Sequence, residues 1–532
     1  MASRAGFDFV VVGGGSAGCV LAARLSENPD ATVCLIEAGG RDRHPFYRVP
    51  AGFAKMTKGI GSWGWSTVPQ RHLQGRVLNF TQAKVIGGGS TVNAQIYTRG
   101  NALDYDEWRQ LGCVGWGYEA VLPYFRRSEN NDTHNDRFHG QGGPLGVSQP
   151  SAPLPICEAF FRAAETLGIP RNPDLAGETQ DGVGYYQLTQ SRAERSSTAR
   201  AFLKPARGRA NLVVRVGVEA LRLVIEKGRA AGVEVAGSDG TELIHADCEV
   251  ILCSGAIGSP RLLMLSGIGP ADHLRDVGVD VIVDQPDVGS NLQDHLDLFT
   301  ISECTGDHTY DKYARPFWSA VAGARYLLTK RGPVASSLFE TGGFWYAEEG
   351  ARSPDIQFHL GLGSGIEAGV ARMQNAGVTL NSAYLRPRSR GTVRLASADP
   401  KAAPLIDPNY WAEDHDRRMA IRGLKLAQGI MTAAPLSPFV KREVLPGPDV
   451  KSDDDFADYA ARHAKTDHHP AGTCRMGDDP GAVVDPRLRL NGVSGLRIVD
   501  ASIMPRLVSS NTNAATIMIA EKAADMIRED QR

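Results

Sequence analysis

The chain has 532 residues with 60 acidic and 58 basic side chains, a net charge of −2, and Lys and Arg scattered along it, which gives no electrostatic case for nucleic acid or an anionic membrane. Its length exceeds what one hydrophobic core serves, so two domains are expected. Eight cysteines without CxxC or Cys/His ligand spacing exclude a disulfide framework and argue against a structural metal, as in a reducing compartment.

The N-terminus enters a strand without a leader-like apolar region, and no apolar run approaches the ~18–20 residues of a membrane span. A cytoplasmic protein without a transmembrane segment is expected, with peripheral contact to a membrane left open. Phe7–Val12 is a continuous apolar run, the pattern of a strand buried on both faces of a parallel sheet. Gly13-Gly14-Gly15-Ser16-Ala17-Gly18 follows, and Ala17, Val20, Leu21 and Leu25 recur at helical spacing until Asn28-Pro29-Asp30. A second strand, Thr32–Ile36, ends at Glu37 and completes a βαβ unit.

A lone GxGxxG is weak evidence; between a strand and a helix, with an acid 19 residues past Gly18, it is a dinucleotide-binding signature. Gly13 permits the tight turn, Gly15 lets backbone approach a pyrophosphate, and Gly18 lets helix and strand pack closely. The helix start at Ser16 and Ala17 offers N–H groups to phosphate, while Glu37, followed by Ala38, accepts from ribose hydroxyls. This unit does not separate NAD from FAD.

Downstream, Leu212–Val216, Leu221–Ile225, Ala231–Val235 and Val250–Leu252 read as short strands, with turns at 226–228 and 237–240. A three-stranded antiparallel piece between parallel strands of the main sheet is expected. Between about 300 and 465, Phe344-Trp345-Tyr346, Ile356-Gln357-Phe358 and Thr392-Val393-Arg394-Leu395 suggest a second sheet with covering helices. Leu496–Val499 reads as a buried strand ending at Asp500, and Asn513–Ile527 as an amphipathic helix. The expected architecture is α/β with two domains: a Rossmann-like cofactor domain (1–155, 200–300, 466–532) and an inserted substrate domain of antiparallel sheet and helices (156–199, 301–465). Cys19, Cys34 and Cys253 sit in apolar runs and read as small buried hydrophobes.

Gly87-Gly88-Gly89-Ser90-Thr91-Val92-Asn93, with Arg99-Gly100 and Asp104–Trp108, resembles the first signature of the glucose–methanol–choline (GMC) oxidoreductases. Gly255–Gly269 resembles the second, and Gly289–His295 and His469-Pro470-Ala471-Gly472-Thr473 match as well, in family order over nearly the whole chain. The resemblance implies FAD, with Trp63, Gly88, Ser90, Asn93, the Val218 backbone, Asp500, Ala501 and Asn513 among its contacts. Some choline oxidases attach the flavin to a histidine where this sequence has Val92, which has no nucleophile, so the FAD is expected to be non-covalent. For Gly255–Gly269, a helix start packed on the sheet is an equal reading.

Alcohol oxidation needs a base for the hydroxyl proton, and histidine titrates in the right range. The family motifs place that base at His469, a pocket-shaping neighbour at His468, and a hydroxyl-holding partner at Asn511. The competing reading of Asn511 is an N-cap of the last helix, with Asn513 as a further capping candidate. Phe53–Thr57, Gly332–Ser336, Phe344–Tyr346 and Leu385–Gly391 are similar to bacterial L-sorbose dehydrogenases, which implies a polyol or keto-sugar primary alcohol. Gln357, His359 and Asn381 are candidates to pair its hydroxyls, and Glu340 is the candidate anion for the choline alternative. A hydroxynitrile lyase-like enzyme is the non-redox alternative. The acceptor, a quinone or dye-like compound or O2, is not legible.

Overall fold

The computed structural model describes residues 6–367, 370 and 372–531. Phe7–Val12, Ser16–Leu25 and Val33–Glu37 form the strand–helix–strand unit where the sequence places it. The parallel sheet runs Leu212–Val216, Val33–Glu37, Phe7–Val12, the end of Gly240–Leu252, then Leu496–Ile498. Val10 and Val11 are fully buried at its centre, which is why the run is apolar without alternation.

Val250–Leu252 is not a separate strand. It ends the 13-residue strand Gly240–Leu252, whose first half pairs antiparallel with Arg229–Gly237 and that in turn with Glu219–Glu226. The C-terminal helix reaches Asp530 and is buried on nearly every side rather than along one stripe. It lies between the first helix and Tyr118–Ser128, where Arg24 and Arg127 reach its buried Glu521 at 2.7 and 2.8 Å.

The second sheet orders Val440–Leu445, Leu296–Cys304, Gly377–Tyr384, Ile356–Gly361, Thr341–Trp345 and Gly182–Tyr185, all antiparallel. Leu296–Thr300 belongs to this sheet although the sequence assigns it to the cofactor domain, because Asp297 to Glu303 pair continuously with 377–383. Thr392–Arg394 is not part of it. That strand pairs with Leu405–Asp407, and Val393 packs with Trp65, Phe80 and Ile257 instead.

Strand alternation decides what this sheet does. Ile356, Phe358 and Leu360, with Val378, Leu380, Leu296 and Leu298, face a core covered by helices Pro155–Glu165, Asp414–Thr432 and Asp453–His463. The intervening Gln357, His359, Asn381 and Asp297 are equally buried but face the opposite way, as a period of two requires. His359 and Asn381 line a cavity shared with the cofactor domain.

Gly18 tests the local fold. A Cβ there would lie 1.9 Å from the Gly13 carbonyl oxygen, whereas a Cβ on Gly208 meets open space. Gly18→Ala is expected to cost ~1–3 kcal/mol and to lower FAD retention, with Gly208→Ala unchanged, as read by thermal unfolding and flavin absorbance.

Candidate active site

One cavity is lined by Gly13, Gly15, Ser16, Ala17, Glu37, Ala38, Trp63, Gly88, Asn93, Val218, Asp500, Ala501 and Asn513, and also by His468, His469 and Asn511. The expected cofactor contacts and the expected catalytic pair therefore share one space. Gly18 is a packing position behind it. Ser90 is not among the lining residues: its side chain donates to the Gly87 carbonyl at 2.6 Å and accepts from the Thr198 N–H at 3.0 Å. Its role is to hold the Gly87–Asn93 turn in shape.

The cavity fits a dinucleotide flavin by its chemistry. Gly13 has φ +103° and its Cβ would strike the Cys253 carbonyl, while a Cβ on Gly15 has no neighbour closer than 3.7 Å and would project into ligand space. Gly88, at φ +53°, approaches Gly15 so closely that a Cβ would sit 2.6 Å from the Gly15 Cα. Glu37 is buried and accepts from the N–H groups of Gly14 and Gly39 at 2.9 and 2.6 Å, leaving lone pairs for ribose hydroxyls. Burial raises its pKa. Asp500 accepts from Gly255 N–H, Ser259 and Ser502 N–H, so it anchors the helix start at Gly255 against the turn at 501–503. Gly255, Ala256, Gly258 and Arg261 also line the cavity, so that segment is both a packed helix start and part of the wall.

The last helix begins after Thr512 with no side-chain cap, which leaves first-turn N–H groups and the positive end of the dipole toward the cavity. The capping readings of Asn511 and Asn513 are both corrected. Asn513 Oδ1 accepts from Ser16 Oγ at 2.8 Å, and Asn511 points to His469.

His469 sits on a turn fastened by the Gly289–His295 segment. Gln293 and Ala471 exchange backbone hydrogen bonds, Asn291 Nδ2 donates to the Gly472 carbonyl at 3.0 Å, and Asp467 N–H donates to the His295 carbonyl. Asp294 accepts from the His469 N–H at 2.7 Å while also taking the hydroxyls of Thr466 and Tyr410. Gly472, at φ +90°, has no room for a Cβ between Gln293 and Asn291. His468 occupies the left-handed region at φ +61°, and the turn presents both its ring and that of His469 to the cavity.

The hydrogen bonds fix the tautomer of His469. His295 Nε2 lies 3.1 Å from the Leu385 carbonyl, which only accepts, so the proton is on Nε2. Burial pushes the His295 pKa down to about 3, so the ring is neutral and its Nδ1 is an acceptor. His469 Nδ1, 3.0 Å away, must therefore carry a proton. That leaves the lone pair on His469 Nε2, facing Asn511 Nδ2 at 3.2 Å. Asn511 is oriented for this by Thr98 and by Gln357 Nε2, both donating to its Oδ1, at 3.2 and 3.0 Å. Burial, then the neighbouring His295, His359 and His468, hold the His469 pKa well below the ordinary imidazole value. An acceptor lone pair beside a donor amide is what a hydroxyl needs in order to bind and lose its proton.

Three features escape the sequence reading. His295 is visible as part of a motif, but nothing in its spacing shows that its ring reaches His469. Arg195, buried, donates to Asn93 Oδ1 at 2.7 Å and thereby turns the Asn93 amide nitrogen outward. Lys465 bridges Asp297 at 2.5 Å and Glu367 at 3.0 Å behind the cavity wall; these residues come from three separate segments. Among the described residues, two groups of side chains approach metal-ligand proximity, His295/Asp467/His469 and His134/Asp136/His139/Asp174. The first is His469, the expected base, with two side chains beside it. In the second, His139 bridges Glu129 and Asp174 at 3.0 and 2.8 Å, and these partners raise its pKa to about 9 against burial, so it serves as a cation in an ion-pair network.

Family models described as GMC oxidoreductase match residues 7–297 and 387–520. An oxygen-dependent choline dehydrogenase of Rhizobium etli is 40% identical over 523 residues, covering 98% of this chain and 95% of the relative. An alcohol dehydrogenase [acceptor] of Pseudomonas putida is 40% identical over 527 residues with the same coverage. Among solved structures, pyridoxine 4-oxidase from Mesorbium loti superposes with a TM-score of 0.90 at 34% identity, covering 98% of this chain and 99% of that one. A formate oxidase superposes at 0.93 with 28% identity, covering 100% and 99%.

His295→Phe removes the acceptor that fixes the His469 tautomer. Flavin reduction by alcohol is expected to fall ~10–100-fold at unchanged FAD content, and His295→Gln, which restores an acceptor oxygen, should recover part of it. An equal loss in both variants would make His295 merely structural.

Proposed function

The chain belongs to the GMC oxidoreductase family, and on that premise we propose that it oxidises the primary alcohol of a small polyhydroxylated substrate, a polyol or keto-sugar of the L-sorbose type, to the aldehyde. The enzyme is an FAD-dependent oxidoreductase acting on CH–OH donors. FAD supplies the acceptor for the hydride leaving the alcohol carbon. His469 Nε2 takes the hydroxyl proton, Asn511 Nδ2 donates to the alcohol oxygen, and His295 keeps the His469 proton on Nδ1. The uncapped start of the last helix favours negative charge at the cavity floor. The residues that would hold FAD are the glycine turns at 13–18 and 87–93, Glu37, Val218, Asp500 and Asn513. Val92 offers no atom for a covalent link.

The observation that carries the reading is the His469–Asn511 pair, 3.2 Å apart in the cofactor cavity. The substrate class rests on the polar wall beyond it. His359 Nε2, Asn381 Oδ1 and His468 Nδ1, on residues that line the cavity, are buried without hydrogen-bond partners among the described residues, and so is Gln95 Oε1. Buried polar atoms without partners are costly, on the order of 1–3 kcal/mol each, and a substrate rich in hydroxyls would satisfy them.

The choline alternative has the curated relatives' names in its favour, but it needs an anion facing the substrate. Glu340 is not among the residues lining the cavity, and burial raises its pKa to about 7. Glu367 and Asp467 do line the cavity, yet Glu367 is bound by Lys465 and by Asn381 at 3.0 Å, and burial, then the neighbouring Asp297, raises the Asp467 pKa well above the ordinary carboxylate value.

An anaerobic panel of sorbose, sorbitol, simple and benzylic alcohols and choline, followed by flavin bleaching and repeated with dye and with O2, tests this reading. Bleaching by any alcohol excludes the lyase-type alternative; fastest bleaching by choline would overturn the substrate class. His469→Ala is expected to slow reduction by at least ~100-fold with FAD still bound. Near-normal reduction would move the base, first of all to His468.

A further inference from the structure

The near-neutral charge of the whole chain conceals a local concentration. From Lys312 to Arg331 there are five cations, Lys312, Arg315, Arg325, Lys330 and Arg331, and no carboxylate. Lys312 pairs with Asp307 at 3.6 Å and Lys330 with Glu194 at 3.0 Å. Arg315, Arg325 and Arg331 make no ion pair among the described residues.

This stretch contains the helix Pro316–Thr329, whose only buried residues are Ala322 and Tyr326. Tyr326 donates to the Ala193 carbonyl at 2.8 Å and ties the helix down. Phe317, Val321, Ala324 and Leu328 follow at spacings of four, three and four, which places them along one stripe on the side away from Tyr326. That stripe faces solvent: Phe317 is 70% exposed and Leu328 86%, with Leu327 beside it at 75% and Trp318 at 41%. An amphipathic helix of a globular protein turns its apolar stripe inward; this one turns it outward.

We propose that the helix Pro316–Thr329 and its basic flanks dock the enzyme on an anionic lipid surface, with the helix lying in the headgroup plane. Apolar side chains including a Trp and a Phe, on a helix with cationic flanks, match the chemistry of interfacial binding. Charge selects the lipid over a second copy of the chain, because a two-fold contact through this face would set each cationic cluster against its own image. The helix packs on the turn Pro333–Ala335, which leads to Phe339 and touches the turn Pro50–Gly52 that leads to Phe53 and Met56. Phe339, Phe53 and Met56 line the cavity, so docking would bring the bilayer beside the wall of the active site. No helix among the described residues is long and apolar enough to cross a membrane, and this docking needs none.

The test is co-sedimentation of the FAD-loaded enzyme with vesicles of phosphatidylcholine alone or with about 30% phosphatidylglycerol. Binding to the anionic vesicles is expected, about tenfold weaker in roughly 0.5 M salt and in the Leu327→Glu/Leu328→Glu double variant. Arg325→Glu/Arg331→Glu should weaken it as well, and both variants should keep the parent rate of flavin reduction. The proposal falls if the parent enzyme stays in the supernatant at low salt, or if the Leu327→Glu/Leu328→Glu variant sediments equally well. It also falls if the parent is a dimer that this variant converts to monomer without any vesicle binding, which would assign the face to a second copy.

Discussion

The site depends on the pairing of residues 289–295 with 467–473. Two backbone bonds between Gln293 and Ala471, the Asp294 carboxylate on the His469 N–H, and the His295 ring on the His469 ring hold one turn from both its main chain and its side chain. The turn is strained, with His468 in the left-handed region, and such conformations persist only where the surroundings over-determine them. Asp294 shows how tightly: it is fully enclosed, and burial raises its pKa to about 6 although Thr466, Tyr410 and the His469 N–H all favour its charged form. The segment that carries His469 therefore has little freedom to move the ring away from Asn511.

The second constraint is the two-faced burial of the substrate sheet. Its strands could have been apolar on both faces, like those of the cofactor sheet. Instead Ile356-Gln357-Phe358-His359-Leu360 alternates strictly, with apolar side chains in the helix-covered core and polar ones toward the cofactor domain. Gln357 then orients Asn511, His359 faces the cavity, and Lys465 lies buried between Asp297 and Glu367. A polar layer this deep is costly wherever an atom lacks a partner. Two such atoms among the described residues, His359 Nε2 and Asn381 Oδ1, are on residues that line the cavity, where an incoming substrate would meet them. The same period-two rule that builds the fold also furnishes the pocket.

The cofactor half was largely legible in the sequence because its signals are local. A buried strand, a glycine turn and a helix follow one another within Phe7–Leu25, and each glycine has a steric reason that the backbone bears out: the turn at Gly13, the open approach at Gly15, the packing at Gly18. His469 and Asn511 were legible as motif positions. The tautomer relay from Leu385 through His295 was not, since it joins three distant segments by ring orientation alone. The direction of the Ser90 hydroxyl was not legible, because a small side chain in a cofactor-like turn does not reveal which side it faces. The C-terminal helix looked amphipathic, although the first helix and Tyr118–Ser128 both cover it. The outward stripe on Pro316–Thr329 has the spacing of a core-facing helix, and only the fold shows that nothing covers it.

His469 is proposed to act as a neutral base whose tautomer is fixed by His295. The pH dependence of anaerobic flavin reduction by the best alcohol tests it most directly. On that proposal the reactive form is the unprotonated imidazole, which burial together with the adjacent histidines favours. Protonation should therefore stop the reaction only when the pH drops to a value well below 6.5, the ordinary imidazole pKa. A rate that is level through neutral pH, with its acid limb displaced to lower pH, is expected. An acid limb at or above pH 6.5, or a rate that rises on acidification, would contradict it.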